Sequence, residues 1–303
     1  MTSRGTPAGR GRSAGRRLGR AVGGTVLLAL AVGGAGLGIA AVLDRVDLAA
    51  APPVRCAAEQ DGTRWYLATD QAETAALLTA TTVHRGMPAR AATIALATGL
   101  QESKLRNIDY GDRDSVGIFQ QRPSQGWGSV EEIMDPVYST NAFLDALDRV
   151  DGYQEMEVTV AAQTVQRSAF PDAYAQHEAR SRAWASGLTG WSAATVTCDL
   201  REPDGAGDPA GVVARAERDF AGAVRATVAA SGVVVLDGSA LPGDDAGRTG
   251  WALAHWAVAV AAQHHVVEVV HDDLRWDRAA GVWAPAPEPG AAGEVRVRVA
   301  GPR

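Results

Sequence analysis

An α+β fold behind an N-terminal transmembrane helix is what this 303-residue sequence predicts. Three observations carry the expectation. Ala21 to Leu43 is a run without a charged residue, preceded by six arginines (Arg4, Arg10, Arg12, Arg16, Arg17, Arg20) and followed by Asp44-Arg45. Between the only two cysteines, Cys56 and Cys198, the apolar spacing is mostly helical. Near the C-terminus, Glu294-Val295-Arg296-Val297-Arg298-Val299 alternates strictly, the signature of a half-buried strand. The expected order is a basic tail (1–20), an anchor (21–43), a stalk (44–55), a mainly helical domain (56–198), a linker (199–211) and a small α/β domain (212–303).

At 1.5 Å per residue the uncharged run reaches roughly 34 Å as a helix, enough to span a bilayer. The arginines before it place the N-terminus in the cytoplasm and the body outside. A single-pass membrane protein is therefore expected; the other reading is a cleaved signal peptide, with Ala49-Ala50-Ala51 as the cleavage site and a secreted body. Beyond residue 20 the chain holds 23 basic and 35 acidic residues, a formal −12. An acidic body argues against nucleic acid as a partner. With 46% hydrophobic residues the chain can bury a core. Two cysteines in an oxidising exterior allow one pairing, so a Cys56–Cys198 disulfide is expected.

Within the first domain, Asp70 to about His84 reads as a helix, with a cap at Thr69 or Asp70 and a stop at Gly86. Pro88 suits the first turn of a second helix running to about Leu105. Asn107 to Asp114 is turn-rich. Ser129 with Glu132 forms a capping-box pattern, and helices follow around 137–150, 157–168 and 172–186. The linker is rich in Gly, Pro and Asp. Beyond it, Val212–Ala229 reads as a helix, Val233–Leu236 and Val266–Val270 as strands, and Trp251–Ala262 as a helix between them.

Glu102 falls near the C-terminal end of the second helix. Partial desolvation and the negative end of the helix dipole both disfavour its charge, so its carboxyl is a candidate general acid. Three short motifs surround it in order: Gln101-Glu102-Ser103, Ser115-Val116-Gly117-Ile118-Phe119-Gln120, and Asp135-Pro136 with Asn141. Together they resemble the soluble lytic transglycosylase branch of the lysozyme-like superfamily. The resemblance covers about 90–147 and implies a lysozyme-like domain that cleaves the glycan strands of peptidoglycan. It implies Glu102 as the single general acid/base, with Ser103, Ser115, Gln120, Gln121 and Asn141 supporting it or lining the glycan groove. No cofactor is expected, because the chemistry is acid/base work on an acetal. The rival expectation is a lysozyme-like module that binds peptidoglycan without cutting it.

The family's Ala-Tyr-Asn-Ala-Gly stretch, whose Tyr contacts the catalytic Glu, has its nearest match in Ala161-Ala162-Gln163-Thr164-Val165-Gln166, which lacks the Tyr. Gln163 or Gln166 could donate a hydrogen bond in its place. Hydrolysis would require a second carboxylate as base, and Asp109, Asp112 and Asp114 are the candidates; a lyase of this family manages with one Glu. Tyr110, Phe119, Trp127 and Tyr138 suit either sugar stacking or the core. His264, His265 and His271 with Asp272 and Asp273 are too weak a pattern for a metal site. The second domain faintly resembles C-terminal domains of secreted actinobacterial wall proteins with a carboxypeptidase-like core, through Trp251–Ala262, Arg275-Trp276 and Gly281-Val282-Trp283. The zinc-binding set of such peptidases is missing, so the expectation there is binding or positioning of cell-envelope protein partners.

Overall fold

The computed structural model describes residues 54–167, 171–243, 245–291 and 293–302. The predicted basic tail, the anchor at 21–43 and the stalk up to residue 53 lie outside them. Among the described residues no helix is long and apolar enough to cross a membrane. The fold is mixed α+β with two antiparallel sheets.

Strands β1 (Arg55–Gln60) and β2 (Thr63–Leu67) form a hairpin closed by Asp61-Gly62, both at positive φ. Asp-Gly favours a two-residue turn of that geometry. With β3 (Val196–Asp199) they make a three-stranded sheet in the order β2-β1-β3. This small sheet was not expected from the sequence. It brings Cys56 opposite Cys198, and the two form a disulfide.

Between β2 and β3 lie the helices: α1 (Thr69–His84), α2 (Ala89–Ser103), α3 (Val130–Met134), α4 (Pro136–Asp148), α5 (Val158–Gln166) and α6 (Glu178–Leu188). Ala68, rather than Thr69 or Asp70, caps α1, its N–H donating to Gln71 Oε1 at 2.8 Å. The Ser129–Glu132 box closes both ways, at 3.2 and 2.8 Å. Asp135 caps α4 with Pro136 at its first turn. The single helix expected over 172–186 is instead a 3₁₀ segment, Pro171–His177, followed by α6. Helix α2 is the buried axis: Ala91, Ala92, Ile94, Ala95, Leu96 and Ala97 are all inaccessible, and their small side chains let α1, α5 and α6 approach closely.

After α7 (Pro209–Asp219), strands β4 (Arg225–Val228) and β5 (Val234–Asp237), α8 (Ala246–Ala259) and β6 to β9 (Val266–His271, Leu274–Asp277, Val282–Pro285, Glu294–Val299) build a six-stranded sheet in the order β4-β5-β9-β6-β7-β8. The helix expected over Val212–Ala229 stops early because Ala221 and Gly222 turn to positive φ, leaving 225–228 as a strand. Helix α8 starts earlier than expected, capped by Asp245, whose carboxylate accepts from Arg248 N.

The helical part and the second sheet meet on β3. Trp276 Nε1 donates to Thr197 Oγ1 at 3.0 Å, Trp283 Nε1 to Val196 O at 2.8 Å, and Thr197 Oγ1 to Gly281 O at 2.6 Å. The described residues accordingly form one compact unit. At the same junction Gly190 has φ +78°, and a Cβ there would lie 1.8 Å from Arg248 O. Gly190→Ala therefore combines a strained backbone with a backbone clash, and should cost at least ~2 kcal/mol in urea denaturation; an unchanged midpoint would show that the junction yields.

His255 is fully buried in this junction. Its Nδ1–H donates to Gly187 O at 2.8 Å, which leaves Nε2 to accept from Thr195 N at 3.2 Å. Burial lowers its pKa to about 4 from 6.5. Above pH 6.5 both folded and unfolded chains hold it neutral. As pH falls towards 4 only the unfolded chain binds the proton, so stability is lost across that window, by about 3 kcal/mol in full. Denaturation at pH 7 and pH 4.5, compared with the same pair for His255→Gln, isolates the effect; equal pH slopes for both proteins would remove it.

Candidate active site

The C-terminal end of α2 fixes Glu102. Lys104 and Leu105 both take left-handed backbone, and Leu105 N donates back to Gly99 O at 2.8 Å, with Lys104 N donating to Leu100 O at 3.2 Å. The Lys104–Leu100 bond is that of an αL stop. Leu105 packs back on Gly99, where a Cβ would sit 2.7 Å from Leu105 Cδ2 and 3.3 Å from Ile118 Cγ2 and force those side chains to move. Ser103 Oγ donates to Ile118 O at 2.7 Å and accepts from Arg106 N at 3.1 Å. The segment 115–121 is thereby tied against the helix end that carries Glu102.

The Glu102 carboxyl is half-buried. Tyr174 Oη donates to Glu102 Oε1 at 2.7 Å, from the 3₁₀ segment 72 residues further along. The Gln166 side chain also hydrogen bonds Glu102, and its Nε2 donates to Phe119 O at 2.7 Å, so one amide spans α5, the 115–121 segment and the carboxyl. Burial raises the Glu102 pKa, and the Tyr174 and Gln166 hydrogen bonds oppose that rise only in part. The group is thus biased towards the protonated form while two polar side chains hold its orientation. Gln101 Oε1 receives Gln176 Nε2 at 3.2 Å and lies 3.1 Å from His177 Nε2, which binds the same 3₁₀ segment to α2.

Tyr174 did not emerge from the sequence as a site residue. A short Ala173-Tyr174-Ala175 signal was available, but it lies beyond the Ala161–Gln166 stretch where a tyrosine was sought. Of the two glutamines offered in that stretch, Gln166 makes the contact; Gln163 stands one turn earlier on α5, half-buried. The other expected residues separate by role. Ser115 is buried, its N–H donating to Asp112 O at 3.1 Å. Gln120 donates to Tyr110 O and Gly117 O, and Gln121 Nε2 to Ser139 O at 3.2 Å from a fully buried position. Asn141 accepts from Arg85 Nη1 at 3.1 Å, joining α4 to α1.

The three aspartates differ in kind. Asp114 accepts from Arg122 Nε, Ser124 N and Ser124 Oγ at 3.0, 2.8 and 3.0 Å, and these donors push its pKa far below the usual carboxylate range. It is a turn-forming carboxylate locked in the ionised state. Asp109 and Asp112 are exposed. Among the aromatics, Phe119 is wholly buried and stacks on Phe143 at 4.4 Å, so it belongs to the core. Tyr138 Oη donates to Trp127 O at 3.3 Å, and Tyr110 stands largely in solvent. Trp127, Met156, Arg149, Arg167 and Gln166 line a cleft of about 740 Å³; Gln166 belongs to its wall, and Glu102 does not.

Among the described residues no group of three His, Cys, Asp or Glu side chains converges as a metal site would require. His271 is buried against Trp251, with its Nδ1 3.1 Å from Glu294 O. The chain matches no known family model, and no curated protein matches it.

Proposed function

We propose that this chain is a membrane-anchored enzyme that cleaves the glycan strands of peptidoglycan, with residues 56–198 as a lysozyme-like domain and Glu102 as its general acid/base. The observation that carries the reading is the state of that one carboxyl: half-buried, raised in pKa, and oriented by Tyr174 and Gln166 at a helix end. A carboxyl whose charge is disfavoured by burial holds its proton to higher pH than a free one and can protonate a glycosidic oxygen. The cleft that shares Gln166 with this site carries Trp127, suited to sugar stacking, and Arg149 and Arg167, suited to carboxylate substituents.

A lyase route fits better than hydrolysis. Asp114 is fully engaged with Arg122 and Ser124, which removes it as a base, and Asp109 and Asp112 lie in solvent. With a single Glu, protonation of the leaving oxygen is followed by return of a proton to the same carboxylate as the sugar's own 6-hydroxyl closes a 1,6-anhydro ring. Digestion of purified walls with the full-length chain, followed by mass analysis, tests this. Anhydro-terminated products are expected; reducing ends would favour hydrolysis, and intact glycan would favour the binding module.

A further inference from the structure

A cavity in the second sheet stands apart from the Glu102 chemistry. Arg225 on β4 is the register partner of Asp237 on β5, which in turn partners Glu294 on β9. Cross-strand partners share a face, so the three side chains form one row, and all three line a cavity of about 580 Å³. Thr227, Ser239 and Thr249 add hydroxyls to its wall. The volume lies in the range of small-ligand sites.

The row is only partly neutralised internally: Arg225 helps hold Asp237 ionised, but one cation faces two carboxylates. Asp237 and Glu294 place like charges directly opposite, an unfavourable pairing. Among the described residues neither carboxylate, nor the Arg225 guanidinium, makes an ion pair within 4.0 Å. Asp237 accepts from Ser239 N at 2.9 Å, which favours its ionised form. Elsewhere on the same sheet the opposite choice is made: Glu268 receives both Arg275 at 3.2 Å and Arg298 at 2.7 Å. The same sheet thus pairs Glu268 with two arginines, while Arg225, Asp237 and Glu294 at the cavity stand without such a pair.

Two carboxylates without a third donor suit an ammonium group better than a metal ion, and the guanidinium beside them suits a carboxylate of the same ligand. Strand β4 ends the sheet order, and a terminal strand is the kind that pairs with an extended chain. We propose that this cavity binds a peptide carrying both a free amino group and a free carboxylate, namely the peptide of the wall polymer. That choice of peptide rests on the glycan-cleavage reading of Glu102.

Calorimetric titration of the full-length chain with wall peptide, freed of sugar by an amidase, tests the proposal. Binding is expected, at least tenfold weaker for Glu294→Gln, for Arg225→Ala and for N-acetylated peptide on the unaltered chain. The last arm decides the matter if either variant fails to fold. Absence of binding, binding indifferent to all three changes, or calcium binding through Glu294 in place of peptide overturns it. Glu102→Gln should bind peptide normally. A chain that binds peptide but cuts no glycan removes the enzyme reading alone; one that cuts glycan but ignores peptide removes only this proposal.

Discussion

Glu102→Gln is expected to lower glycan cleavage at least ~100-fold, the lower bound of what a positioned general acid contributes, while glycan binding survives. The substitution keeps the volume of the side chain and its capacity to accept from Tyr174, and removes only the transferable proton. It should also stabilise the fold. Burial raises the Glu102 pKa above its unfolded value, so its favourable contribution exists only below the unfolded pKa and is lost as pH rises through the folded one. At neutral pH an ionised carboxyl in this site is a net cost that a neutral amide avoids. Each kcal/mol regained raises Tm by roughly 2–4 °C for a body of this size. In the active protein the alkaline limb of the rate profile should follow deprotonation of Glu102. Tyr174→Phe removes a hydrogen bond that lowers that pKa, and should shift the limb to higher pH. A Glu102→Gln chain that cleaves at the original rate sinks the catalytic assignment; one that loses rate and stability together makes Glu102 structural.

The parts of this fold legible in the sequence are those fixed by neighbours in the chain. The Ser129–Glu132 box, the Asp135-Pro136 helix start and the β9 alternation depend on contacts within a few residues, and each forms where the pattern put it. The early end of α7 was written in Gly222, yet the apolar spacing through Val224 masked it. β1 and β3 were illegible for a different reason. Arg55–Gln60 lacks alternation and Val196–Asp199 alternates over only four residues, too few to register; they become strands by pairing with each other across the whole helical part. The site divides the same way. Glu102 was marked by its own helix and its motif, but Tyr174 reaches it from 72 residues away, through a 3₁₀ segment with no periodicity of its own. Ser103 shows the converse: its neighbour Glu102 suggested a site residue, whereas its hydroxyl is occupied by Ile118 O and Arg106 N.

Loss of the Cys56–Cys198 bond is expected to have the largest effect on stability. The bond closes a loop 142 residues long, for which the chain-entropy account gives about 5 kcal/mol, with less often realised in practice. Its position increases the consequence. β3 is only four residues long, and it receives Trp276 and Trp283 from the second sheet on one side while pairing with β1 on the other. The disulfide joins those two strands directly, so the junction between the helical part and the second sheet hangs on a strand whose pairing is covalently enforced. The Cys56→Ser/Cys198→Ser protein should lose ~3–5 kcal/mol in urea denaturation, and its tryptophan emission should shift red before the helices melt, because the buried indoles of this junction are the first to gain water. If the double variant loses less than ~1 kcal/mol and its emission changes only with global unfolding, the indole hydrogen bonds hold β3 without the cross-link, and the disulfide is not what seats the second sheet.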